Sequence, residues 1–115
     1  MKDKFKTIGV NKNGILVAKN KKGWSYFDSK TYDNLTDEYF DFATGFTSDG
    51  AAYVVKDKKL LQIDRQFTIT RTILDDNYKN LNDIANILLM SEQIKRNTVI
   101  VTDKNDKKTL LKIIR

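Results

Sequence analysis

The sequence predicts a mainly β fold, built as about three antiparallel β-meander or hairpin units in a single domain over 1–115. A helix near 80–96 is the one alternative element, and its presence would make the fold α+β. The first supporting observation is a repeat with a period of about 36. Gly9 falls on Gly45, Gly14 on Gly50, Lys22 on Lys58 and Asp28 on Asp64. At the same offset Leu16, Ala18, Trp24 and Phe27 fall on Ala52, Val54, Leu60 and Ile63. Self-similarity at a fixed period marks a supersecondary unit used more than once. The second observation is a pair of turn dipeptides, Asn13-Gly14 and Asp49-Gly50, at equivalent places in two units. Both suit the positive φ that a type I′ hairpin turn demands. The third is the series of short apolar runs between turns, several alternating with the period of a half-buried strand.

The elements follow in order. Unit one, about 4–28, gives strands over 5–10, 15–19 and 24–28, separated by the Asn13-Gly14 turn and an NKKG turn. Unit two, about 38–73, gives strands over 38–46, 51–56 and 60–64, and the β-branched run FTITRTI adds a fourth over 67–73. Unit three, about 78–115, opens on a match of YKNLND at Tyr78 to YDNLTD at Tyr32, and its closing strand 110–114 answers 60–64 at an offset of 50. Inside this unit the segment 82–96 reads two ways. Ile84, Ile87, Leu88 and Ser91 have helical spacing behind Asn80 or Asn82 as a cap. The repeat instead sets the segment where the strand-like YFDFATGF stands. The chain has no Pro, so lysine-rich strands and turns are the devices left to guard sheet edges.

Length and composition bound the class. A chain of 115 residues can bury about two-thirds of its extended surface on folding, which supports a real core. No apolar run approaches the roughly 20 residues that span a bilayer, and the lysines of MKDKFKTIGV lead into no apolar stretch of a secretory signal. With no Cys there is no disulfide frame or thiolate site, which fits a reducing compartment. The expectation is a cytoplasmic protein without membrane association, and its Lys-, Asn- and Ile-rich style suggests a bacterial or phage source. The formal charge of +6 is uneven, at +6 over residues 1–23, −5 over 24–54 and +5 over 55–115. Such asymmetry suggests an anionic partner for part of the surface, and serves solubility equally well.

The second unit, YFDFATGFTSDGAAYVVKDKKLLQID, resembles the WG β-repeat (KWG-type repeat) family. The similarity rests on Phe46, Asp49-Gly50, Ala51-Ala52, Val54, Lys56, Lys58-Lys59 and Ile63-Asp64. Unit one carries Lys22-Gly23-Trp24 and Tyr26-Phe27-Asp28, with Gly and Trp in reversed order, and unit two has Leu60-Leu61 where the Trp-Gly pair belongs. The resemblance touches about two-thirds of the chain. It implies a β-rich repeat scaffold used for binding, with no shared catalytic residues to carry over.

Two constellations are candidates for function. Repeat equivalence puts Lys19, Lys21 and Lys22 at one hairpin tip, Lys56, Lys58 and Lys59 at the next, and Lys104, Lys107 and Lys108 at a third. If the tips share an edge they suit phosphate-backbone contact, although charge runs are more often a solvated face. The second constellation is aromatic: nine of the twelve aromatic residues fall between Trp24 and Tyr53. Strand alternation sends these rings to both faces of a sheet, so one face needs a cover: the 80–96 segment, a second copy or a partner. Core packing is the plainer reading for large aromatics. If some rings stay exposed, Trp24, Tyr26, Tyr39, Phe42 and Tyr53 form the candidate protein-binding set.

Chemistry is poorly provided for. There is no His and no Cys, which removes the usual general base and thiol nucleophile. No phosphate-cradling glycine motif and no EF-hand spacing occurs. The acid groups Asp37/Glu38/Asp41 and Asp75/Asp76 lie in turn-like polar surroundings, without a geometry for paired-carboxylate hydrolysis. The expectation is therefore a non-catalytic domain that binds no cofactor and no metal. Its partner is read as another protein, with a phage or mobile-element inhibitor of a host protein as the narrower form. Nucleic-acid binding through the lysine tips, with Tyr26 or Tyr53 stacking on bases, is the alternative. A homo-oligomer is compatible with either.

Overall fold

In a computed structural model, which describes residues 5–12, 14–91 and 97–113, the chain is mainly β with one helix. Strands β1 (Thr7–Lys12), β2 (Ile15–Asn20) and β3 (Gly23–Asp28) form an antiparallel meander in sequence order. Strands β4 (Phe42–Ala43), β5 (Ala52–Lys56), β6 (Lys59–Ile63) and β7 (Ile69–Leu74) form a second. Helix α1 (Leu81–Met90) follows, and β8 (Thr98–Thr102) pairs with β9 (Lys108–Lys112) in a third, two-stranded sheet.

The first two meanders are joined by hydrogen bonds as well as by chain. After β3 the backbone doubles back, with Asp28 N–H donating to Asp33 O and Leu35 N–H to Tyr26 O. Trp24 and Phe40 then exchange N–H···O bonds of 2.8 Å in both directions. One residue later Asp41 N–H donates to Val55 O, and Phe42 pairs with Val55. The stretch 40–43 thus passes from the edge of the first sheet to the edge of the second. That transfer is why the strand expected over 38–46 shrinks to β4. On the far side of β4 half the ladder is rerouted: Thr44 N–H donates to Tyr53 O at 3.0 Å, but the Tyr53 N–H goes to the Thr44 hydroxyl at 3.1 Å, while the Thr44 carbonyl accepts the Tyr26 hydroxyl at 2.6 Å.

Burial explains why β2 and β5 read as continuous rather than alternating apolar runs. On one face of the first sheet Leu16, Ala18 and Phe27 pack with Phe5. Val17 and Tyr26, on the opposite face, join Phe40, Ala43, Ala52, Val54, Leu61 and Ile63. On the second sheet Tyr53, Val55 and Leu60 point to a further cluster with Ile84, Ala85, Leu88, Val99, Val101 and Ile113. A strand buried on both sides has no polar face to show.

The segment 81–90 settles the ambiguity of the sequence in favour of a helix. Ile84 and Leu88 are buried one turn apart and Ile87 half-buried beside them, so the helical stripe covers the Tyr53–Val55 face of β5. A strand in this place presents only alternate residues and leaves that face wet. Asn80 is the N-cap, held at φ 59° without a side-chain capping bond. The remainder of the helical expectation, 92–96, lies outside the described residues.

Turn chemistry departs from the sequence reading as well. At Asp49-Gly50 only Gly50 has positive φ (84°), and Gly50 N–H donates to Thr47 O, so the loop is a type I turn closed by a left-handed glycine. Two-residue loops join Lys12 to Ile15, as the Asn13-Gly14 expectation has it, Asn20 to Gly23, and Lys56 to Lys59; in the last, Asp57 and Lys58 are both left-handed at φ 53° and 64°. Gly14 has φ 81°, while Asn13 lies outside the described residues.

The true repeat marker is an aspartate at the end of a strand. Asp28 Oδ1 accepts the N–H groups of Lys30 and Thr31, Asp64 Oδ1 those of Gln66 and Thr68, and Asp103 Oδ1 those of Asn105 and Lys107. Each turn also contains a non-glycine residue at φ 63–66°: Tyr32, Phe67 and Asp106. Asp103 is therefore the partner of Asp64, which matches β8 to β6 and β9 to β7. The expected match of 110–114 to 60–64 is corrected accordingly. The shared YxNLxD pattern also parts company here, since Tyr32 sits within the Asp28 turn whereas Leu81 begins α1.

Candidate functional site

The five candidate aromatics divide cleanly. Tyr26 and Tyr53 are buried and belong to the core. Tyr26 lies across β2–β3 from Val17 and stacks within 5.2–5.3 Å of Phe46 and Phe67. Burial pushes its hydroxyl pKa well above the usual tyrosine value. Tyr53 points into the cluster closed by α1. Neither ring reaches a partner's surface or stacks on a base, because strand alternation aims both inward.

Trp24, Tyr39 and Phe42 are half-buried and gather where 38–42 crosses the start of β3. The Trp24 and Phe42 rings meet edge to face at 5.6 Å. Gly9 makes room for β2 beside the indole: a Cβ there would lie only 2.9 Å from Val17 Cγ1 and 3.0 Å from Val17 O, with Trp24 Cζ3 in ordinary contact at 3.5 Å. The Tyr39 hydroxyl accepts from Asn34 Nδ2 at 3.0 Å, and Lys22 Nζ stands 5.7 Å from the centre of its ring. That separation is within cation–π reach.

The lysine tips are partly gathered. Lys19, Lys21, Lys22, Lys58 and Lys59 are exposed, whereas Lys56 is half-buried, paired with Glu38 and 5.9 Å from the Phe40 ring. Lys22 and Lys56 therefore bracket the same 38–41 segment, and the first two tips are neighbours. Lys104, Lys107 and Lys108 are exposed on the Asp103 turn, which bonds to Asn77 and Lys79 instead. Acids intervene throughout: Glu38 meets Lys56, and Asp106 meets Lys79.

The carboxylates otherwise serve local structure. Asp37, Glu38, Asp41, Asp75 and Asp76 are exposed, and Asp75 Oδ1 accepts the Asn77 N–H. Among the described residues no three acids are grouped to hold a metal ion. An open polar cleft of about 380 Å³ lies between the Asp49 and Asp64 turns, with Arg65 folded over Gly50.

Sequence reasoning missed Glu38 and Asn34 as neighbours of Tyr39, because a loop crossing between two sheets leaves no period to read. It also missed Ile100 and Leu110, although their alternation with Val99, Val101 and Leu111 was a visible signal. No protein-family model, curated protein or solved structure matches the chain. No described helix is long and apolar enough to cross a membrane.

Proposed function

We propose that this chain is a non-catalytic protein-binding domain whose docking surface centres on Trp24, Tyr39 and Phe42. One observation carries the reading: the half-buried Trp24–Phe42 pair and the half-buried Tyr39 stand on one backbone crossing, where Trp24 bridges Phe40, with Lys22 over the Tyr39 ring and Lys56 paired with Glu38. Rings held by strand hydrogen bonds lose little freedom on association, and Trp and Tyr are enriched among residues that dominate binding energy. Asp37, Glu38, Asp41, Lys19 and Lys22 supply the polar rim such interfaces carry. The recurring Asp turns support a repeat scaffold, and kinship with WG-type repeats is part of this proposal. The Cys-free sequence suits a reducing cytoplasm.

The test compares wild type with Tyr39→Ala and with Thr70→Ala, an exposed control on β7, as immobilised baits in a bacterial lysate. A protein retained by wild type and Thr70→Ala, and weakened about tenfold or more by Tyr39→Ala with melting unchanged, supports the reading. Identical retention by all three contradicts it.

The adjoining first two lysine tips favour one second reading, nucleic-acid binding. Labelled oligonucleotides separate it: affinity that collapses between ~50 and ~200 mM salt supports phosphate contact. Absence of binding at low salt dismisses it.

A further inference from the structure

We propose that the β8–β9 hairpin is a second docking site, distinct from the Trp24 surface, for an extended acidic segment of a partner protein. Directly opposed residues of an antiparallel pair share a face. The register therefore places Thr98 with Lys112, Ile100 with Leu110, and Thr102 with Lys108. Val99 and Val101 turn inward and are buried, so this is the outward face. Ile100 is 59% and Leu110 67% exposed, the two most exposed large hydrophobics among the described residues. They form an aliphatic pair with a lysine on either side along β9.

The charge of the hairpin is what selects the occupant. Asp103 is engaged by the N–H groups of its own turn, and Asp106 is paired with Lys79. Lys104, Lys107, Lys108 and Lys112 make no ion pair among the described residues. The far edge of β9 pairs with no described strand, and four of its five residues are exposed. An open strand edge is a template for another strand. A second β9 laid antiparallel about Leu110 sets Lys108 against Lys112, like charges directly opposed, which disfavours self-pairing. A strand reading acid-x-aliphatic-x-acid sets carboxylates against both lysines and an apolar side chain beside Leu110. Its side chains repeat every ~6.7 Å along one face, as those of β9 do.

The probe is a fluorescein-labelled peptide, Gly-Glu-Thr-Leu-Thr-Glu-Gly, titrated into the full chain, with amide shifts mapped by NMR. Controls replace both Glu by Lys, or Leu by Ser. Submillimolar binding that weakens several-fold from ~50 to ~200 mM salt, with shifts confined to β8 and β9, is expected. Leu110→Ser should weaken it, and Lys108→Glu with Lys112→Glu should transfer preference to the basic peptide. The last outcome guards against a variant that merely misfolds. No binding at millimolar peptide, equal binding of acidic and basic peptides, or shifts centred on Trp24 and Tyr39 overturns the proposal. So does sedimentation with phosphatidylserine vesicles that the peptide fails to compete, which assigns the face to a lipid surface.

Discussion

Gly23 shows how closely the first sheet is packed. A Cβ on Gly23 would lie 2.8 Å from Phe40 O, and its φ of 129° already disfavours a side chain. Gly23→Ala therefore clashes where 40–43 crosses β3, and should cost roughly 1–3 kcal/mol in urea unfolding. Tyr26→Phe keeps the ring stack but leaves Thr44 O without its buried donor. A loss of about 1–3 kcal/mol is expected from the same measurement. Asp28 provides a pH test. Backbone N–H groups of Thr31 and Lys30 hold its carboxyl below the ordinary value of 3.8. A depressed folded pKa means the contribution is present above the unfolded value and is lost as pH falls through the folded one. Between about pH 5 and pH 2 the melting temperature of Asp28→Asn should fall less steeply than that of wild type. Parallel curves would show that the turn carries no proton linkage.

At the scale of elements, α1 is the piece that lets β5 be apolar on both faces. Leu88→Ala opens a cavity against Tyr53 and Val55, and should lower stability by about 2–5 kcal/mol. An exposed change on the same helix, Asn86→Ala, should be near neutral. Strand positions were legible in the sequence because Leu16 and Ala52, Ala18 and Val54, and Phe27 and Ile63 are apolar residues at the repeat offset. Helix α1 was legible only as an alternative, since period 3.6 in Ile84–Leu88 competed with a repeat argument. The repeat misled because β8–β9 matches only β6–β7, and α1 stands where the repeat set a strand like YFDFATGF. The Asp57-Lys58 hairpin tip was legible in place but not in type, since Lys at positive φ has no compositional signature. Of the aromatic candidates, the sequence could not divide Tyr26 and Tyr53 from Trp24 and Phe42. That division depends on which face α1 covers and on where 40–43 changes sheets.

Across the whole molecule, the uneven charge acquires places. The acidic middle of the chain supplies Asp37, Glu38 and Asp41 around the Trp24–Tyr39–Phe42 surface, and the basic C-terminal third supplies the lysines of β9. Of the nine clustered aromatics Tyr26, Phe27, Phe40 and Tyr53 are buried, while Trp24, Tyr32, Tyr39, Phe42 and Phe46 are half-buried. Phe46 is drawn inward against Tyr26, and the Trp24–Phe42 pair with Tyr39 is the feature on which a protein-binding role depends. Site-directed photo-crosslinking tests that role most directly, with benzoyl-phenylalanine placed in turn at Tyr39, Phe42 and, as a control on β7, Thr70. Irradiation in cells should yield one discrete heavier adduct from positions 39 and 42 and none from 70. Adducts of equal yield from all three positions, or none from 39 and 42 in a folded protein, would contradict the account.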